Sequence, residues 1–130
     1  MRHIAIALLL VLQGCAVLGP PDDWTRTDTV AEIAWQVMNV VDYRQTIDIQ
    51  NHPNLIEANV ISQAFLGERP NTSDTAKLMA AYGIGHYLIS KFLPARWRSL
   101  WHVGMLYGKG RTLMINHRNG LRIDEHGHDQ

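Results

Sequence analysis

The chain predicts an all-α fold, a small bundle of three to four helices behind an N-terminal export segment and a short tether. Three observations carry that expectation. Apolar residues recur three and four positions apart over long stretches after residue 30. Breaks such as Asn51-His52-Pro53-Asn54, Leu66-Gly67-Glu68-Arg69-Pro70 and Pro94 cut the pattern into helix-length pieces. Alternating strand patterns are confined to Leu121-Arg122-Ile123, which fits a short strand or coil, and no repeat of domain-building length is visible.

At the N-terminus, Met1-Arg2-His3 is polar and cationic, and Ile4 to Leu12 is apolar without interruption. That run is too short to span a bilayer and matches a secretory signal instead. Its end, Leu12-Gln13-Gly14-Cys15, resembles the lipobox of bacterial lipoproteins. The resemblance implies cleavage before Cys15 and acyl chains on its sulfur and on the new amino group. A single acyl chain holds a protein only marginally, whereas two or three make attachment effectively permanent. Ala16 stands where the resemblance would put Asp for inner-membrane retention, so the implied address is the periplasmic face of the outer membrane, with the inner membrane as alternative. The plainer reading is an ordinary cleaved signal or an uncleaved anchor. The expected division is a signal peptide at 1–14, a lipidated cysteine and tether at 15–26, a helical domain at 27–123 and a disordered tail at 124–130.

Gly19-Pro20-Pro21 marks the tether. A first helix is expected over Val30 to Gln50, capped by Thr27 or Asp28, with Glu32 in its first turn. Val30, Ile33, Val37 and Val41 form one stripe, and Trp35, Met38 and Ile49 another, so the first half is apolar nearly all round and belongs in a core or in lipid. Asp42 interrupts that pattern. Leu55 to Phe65 reads as a shorter second helix, Gly67 as its C-terminal cap and Pro70 as a stop. Asn71-Thr72-Ser73-Asp74 offers caps for a third helix over Thr75 to Leu93, in which Gly83 and Gly85 permit close backbone approach. The stretch between Lys77 and Lys91 is shorter than the ~20 residues a membrane span needs. After Pro94 a fourth helix is expected over Arg96 to Leu106, and Asn119-Gly120 is a turn signal.

A formal net charge of zero hides an asymmetry. Residues 16–75 hold nine acids against three bases, and residues 76–123 hold eight bases and no acid. Either the two halves pack and neutralise each other, or the basic half meets anionic lipid at about 1 kcal/mol per residue. Arg96, Trp97, Arg98, Trp101, Lys109 and Arg111 are the candidate membrane or partner surface, their composition being that of an interfacial belt or the edge of a core. Nucleic acid is not an expected partner of an exported chain. Cys15 is the sole cysteine, so no intramolecular disulfide is available.

The candidate polar cluster is Asp42, Gln45 and Thr46 on the first helix with Glu57 and Asn59 on the second. Helices joined by a short connection pack antiparallel, so the two groups can face each other. Two carboxylates held together would raise one pKa, as acid–base chemistry requires, but buried polar groups more often fix helix register. Asp42-Tyr43-Arg44-Gln45-Thr46, then Glu57-Ala58-Asn59 and Leu66-Gly67-Glu68-Arg69-Pro70, resemble a family of small membrane-associated proteins of proteobacteria and their phages. Its pattern is D-x-x-Q-T followed by E-x-N-P-x-L-G-x-x-P, over roughly Trp35 to Tyr82. This chain departs from it with Val60 in place of proline and extra residues at about Ser62 to Phe65. The resemblance implies membrane association and supplies no reaction.

His52, His86, His102 and His117 lie one to a segment without a His-x-x-x-His pair, so no metal ligand set is expected from spacing. His126-Gly127-His128-Asp129 is a tail sequence fit for adventitious chelation only. Nucleophile-elbow, P-loop and dinucleotide fingerprints are absent. The expectation is a non-catalytic structural or interaction lipoprotein with no cofactor beyond covalent lipid at Cys15, meeting membrane lipid and a protein partner or further copies of itself. The alternative is a periplasmic enzyme or metal-binding protein using Asp42, Glu57 and His86.

Overall fold

The computed structural model describes residues 23–57 and 59–121. The expected signal peptide with Cys15, the tether up to residue 22 and the tail from 124 lie outside the described residues. Among those described there are four α-helices and a 3₁₀ turn, with no strand.

Helix α1, Arg26–Asp48, starts earlier than the apolar pattern suggests because Thr25 and Asp28 close a capping box. Thr25 Oγ1 accepts from the Asp28 amide at 3.1 Å, and Asp28 Oδ2 accepts from the Thr25 amide at 2.9 Å. A 3₁₀ turn, Ile49–Asn51, ends it. The second helix, α2, is only Val60–Leu66. The expected start at Leu55 fails because the Asn59 carboxamide caps the helix there, accepting from the Ile61 and Ser62 amides. Residues 52–57 are instead loop, pinned by the Glu57 amide donating to Glu68 O at 3.0 Å and by Arg69 donating to Pro53 O at 2.6 Å. Gly67 caps α2 with φ 73°, a left-handed conformation that disfavours a side chain.

Helix α3, Thr72–Phe92, is capped by Asn71, whose Oδ1 accepts from the Asp74 amide at 2.9 Å. The Asn71 side chain, with Lys77, holds the exposed Asp74 carboxyl below its ordinary 3.8. That small stabilisation is present above the ordinary value and fades as pH falls through the lowered one. Helix α4, Ala95–Arg118, runs well past the expected end at Leu106. Gly104, Gly108 and Gly110 lower its propensity without stopping it, since its inner face stays packed on α1 and His117 and Arg118 complement its C-terminal dipole.

Helix α1 is central and packs against both α3 and α4, which touch each other little. Gln36 Nε2 donates to Gly83 O at 2.9 Å and Asn39 Nδ2 to Met79 O at 2.8 Å, so α3 runs antiparallel to α1. Asp28 meets Arg98 and Asp42 meets Lys109, so α4 runs parallel to it.

The polarity of the bundle is inverted. The inner stripe of α1 is Asp28, Glu32, Trp35, Asn39, Asp42 and Thr46, and each of these is buried. Thr75, His86 and Ser90 of α3 and Arg98 and His102 of α4 are buried against it. The apolar stripe expected in a core or in lipid faces away from the other helices in its first three members, Val30 at 67% exposed and Ile33 and Val37 at 58%, while Val41 is half-buried. Ile84 and Leu88 on α3 and Leu100, Val103 and Tyr107 on α4 are exposed as well. Buried hydrophobic residues among those described are Trp35, Ile49, Met79 and Leu121.

Two members of the expected basic surface are therefore corrected: Arg98 is wholly buried and the Lys109 side chain is only 11% exposed, because Asp28 and Asp42 on the inner stripe of α1 draw the two cations inward. Trp101 is half-buried, as at the edge of a core. Arg96, Trp97 and Arg111 are exposed. Two acid–base pairs, Asp28–Arg98 and Asp42–Lys109, thus join the acidic and basic halves across the α1–α4 contact.

The glycines of α3 differ in what a side chain would meet. A Cβ at Gly83 would lie 2.8 Å from Gln36 Oε1, whereas at Gly85 nothing lies within 4 Å. Gly85→Ala is expected to raise thermal stability by up to ~1 kcal/mol through helix propensity. Gly83→Ala loses about as much from the displaced Gln36 hydrogen bond and shows no gain. Paired circular-dichroism melts check the difference.

Candidate functional site

Because α1 and α4 run parallel, their inner residues meet in layers along the bundle. The first layer is an ion pair. Arg98 Nη1 donates to Asp28 Oδ2 at 2.9 Å and to Asp23 O at 3.2 Å, while its Nη2 and Nε donate to Leu93 O. One guanidinium thus ties the start of α1 to the end of α3, with Trp24 covering it at 5.3 Å.

The second layer holds Glu32, His86 and His102, contributed by three different helices. His86 Nδ1 lies 2.8 Å from Glu32 Oε2, and Gln36 Nε2 donates to Glu32 Oε1 at 2.6 Å. The His86 ring stacks on Trp35, with centroids 4.0 Å apart and planes 2° from parallel, and lies 5.5 Å from Trp101. Trp101 is fixed by donating Nε1–H to Ser90 Oγ at 3.0 Å. The His102 ring sits 5.6 Å from His86, edge-on to Trp24. One ligand atom from each of Glu32, His86 and His102 lies within 4.8 Å of the others, and all three residues are buried. Among the described residues this is the group of histidine and acidic side chains close enough together that it could hold a metal ion.

In the third layer Lys109 Nζ donates to Asp42 Oδ2 at 2.7 Å and Asn39 Oδ1 at 3.3 Å, lies 5.2 Å from the Trp35 ring, and Asn116 reaches Asp42 Oδ1 at 3.4 Å. Below it Asp42, Thr46, Glu57 and Asn59 line one cavity of about 280 Å³ together with Ser62 and Asn116. Four of the five residues of the expected polar cluster therefore share a cavity. Gln45 is buried beside it, donating to Leu113 O at 3.3 Å. Asp42 is held by a lysine, and Glu57 Oε1 accepts from the Asn59 amide at 2.7 Å, partners that suit carboxylates fixing helix and loop positions.

His86 meets Glu32 and His102, not the expected Asp42 and Glu57. Glu32 and His102 do not stand out in the sequence: the first reads as a first-turn acid, the second as one scattered histidine. A signal was present nonetheless. Asp28, Glu32, Asn39, Asp42 and Thr46 recur at helical spacing on one stripe whose neighbours are apolar, which marks the polar face as the inner one. A second cleft, of about 410 Å³, opens between α3 and α4 onto His86, Trp35 and Trp101, with Gly85 and Gly104 on its walls. Comparison with protein-family models, curated proteins and solved structures gives no match to this chain.

Proposed function

We propose that this chain is a membrane-associated structural or interaction protein whose outward apolar belt lies against lipid acyl chains. The observation that carries the reading is the inverted bundle: carboxylates, histidines and an arginine inside, valines, isoleucines and leucines outside. In water such a surface would remain as a large exposed apolar patch on every helix. Against acyl chains it is favoured, and the buried polar groups then meet only one another.

No helix among the described residues is long and apolar enough to cross a membrane. The polar inner stripe lowers the average hydropathy of each helix, but those side chains face the other helices, so the assembled bundle is far more apolar outside than any helix is on average. The outward faces are bounded by exposed bases at both ends: Arg26 and Arg44 on α1, Lys77 and Lys91 on α3, Arg96 and Arg111 on α4. At 1.5 Å per residue the charge-free belts are about 20–25 Å tall. That is short of the ~30 Å hydrocarbon core, a mismatch that snorkelling side chains and local thinning accommodate. Attachment through an acylated Cys15 and an outer-membrane address belong to the same proposal and rest on the N-terminal residues alone. A protein partner or a second copy would cover whatever part of the belt lipid does not.

The test is fractionation of cells making the full chain and a Cys15→Ser variant, followed by an alkaline carbonate wash. Both are expected to stay in the membrane pellet and to need detergent for release. Release of Cys15→Ser by carbonate overturns the belt reading and leaves a lipid anchor alone. Labelling with a palmitate analogue decides the anchor separately.

A further inference from the structure

The interior layers differ in how completely they are satisfied. Asp28 and Asp42 each face a cation. Glu32 does not: its hydrogen-bond donors are the Gln36 carboxamide and an imidazole. Three imidazole nitrogens beside it, His86 Nε2 and both nitrogens of His102, are buried without a hydrogen-bond partner. His102 Nε2 lies 3.9 Å from Asp28 Oδ1, beyond hydrogen-bond distance. Neutral His86 and neutral His102 each carry a bare lone pair on one ring nitrogen. Glu32 and His86 can share an ion when the His86 lone pair is on Nδ1, 2.8 Å from Glu32 Oε2, and its proton on Nε2. Each buried polar atom left unsatisfied costs about 1–3 kcal/mol, so an interior that pairs Asp28 and Asp42 carefully leaves its strongest ligand atoms open in one place.

We propose that Glu32, His86 and His102 bind a divalent transition-metal ion of the zinc class. Two neutral imidazoles and one carboxylate are a recognised three-ligand set for Zn²⁺, and they leave a further coordination position open. Imidazole nitrogen selects Zn²⁺ and its neighbours over the hard cations Mg²⁺ and Ca²⁺. The ion would neutralise the buried Glu32 carboxylate, whose hydrogen-bond donors are a carboxamide and an imidazole, and it would give the open lone pairs a partner. Bonds of ~2.0–2.1 Å place tetrahedral ligands about 3.3 Å apart. The three ligand atoms lie within 4.8 Å of one another, and His86 Nδ1 and Glu32 Oε2 only 2.8 Å apart, so small side-chain adjustments suffice. The surroundings fit an orienting outer shell: Trp35 and Trp101 flank the His86 ring and fix its plane. The α3–α4 cleft reaches His86 and supplies an entry path, with unfilled space at Gly85 and Gly104.

The experiment uses the full chain in detergent, carrying His126→Ala and His128→Ala so that the tail cannot chelate. After stripping with EDTA, Zn²⁺ binding is measured by competition with a chromogenic chelator, and Co²⁺ is added as a spectroscopic stand-in. One ion per chain is expected, with Co²⁺ visible bands of nitrogen–oxygen coordination. His102→Gln and Glu32→Gln are each expected to weaken Zn²⁺ at least a hundred-fold, while His52→Gln and His117→Gln change it less than two-fold. No bound ion in the tail-substituted chain overturns the proposal, as does unchanged affinity in a folded His102→Gln. Should both site variants lose their helical signal, the stoichiometry and Co²⁺ bands of the tail-substituted chain alone decide, one ion with those bands supporting it and none refuting it.

Discussion

Arg98→Met is expected to destabilise the bundle by about 3–5 kcal/mol, the range for removing one partner of a buried ion pair. The Asp28 carboxylate would be left in the interior with Thr25 as its remaining polar support, and Leu93 O at the end of α3 would lose its guanidinium donors. The penalty comes from the stranded charge more than from the lost attraction. Asp28→Asn combined with Arg98→Met should therefore recover a substantial part of the loss. Thermal or denaturant unfolding of the two single variants and the double variant, followed by circular dichroism in detergent, reads this out. An additive double variant would mean that Asp28 and Arg98 act independently and that the layer is not a unit.

Trp35→Ala is expected to cost about 3–5 kcal/mol as well, for a different reason. Trp35 is 2% exposed and is among the few large apolar side chains inside the bundle. Its ring carries the stacked His86 on one side and lies 5.2 Å from the Lys109 ammonium, so it separates the second and third polar layers. Truncation opens a cavity where the surrounding groups are polar and held in hydrogen bonds, which limits their collapse. Trp35→Phe keeps a stacking face and should lose less than half as much. Equal losses in the two variants would show that volume alone, and not the aromatic face, matters at this position.

The helical class follows from residue spacing and breakers that need no tertiary information. The apolar period along α1 and α3, the stop at Pro94 and the Asn119-Gly120 turn are local features, and the structure is helical where they indicate. Helix ends were less legible because they depend on which of several polar residues caps: Thr25 in place of Thr27 or Asp28, Asn59 inside the stretch expected to be helical from Leu55, Asn71 among four candidates. The length of α4 was hidden by its glycines, whose low propensity is overridden by packing along α1.

The direction of the helices was the larger difference. Periodicity gives two faces per helix, and the usual assumption that the apolar one points inward fails here. Arg98 and Lys109 read as surface cations by composition, yet each lies opposite a carboxylate on α1, a pairing visible only once α1 and α4 are known to run parallel. Glu32, His86 and His102 had no chance of forming a motif, because they come from three helices and none lies within ten positions of another.

The sequence by itself determined that this chain is helical, where its helices are interrupted, and that acid precedes base along it, since these are properties of neighbouring residues. Only the tertiary structure decided which face is inside and which side chains of distant helices share a layer. The physical reason is that a helix of mixed polarity is stable in either orientation, and the choice falls to the partners that can neutralise its buried charges and to the medium that meets its apolar side.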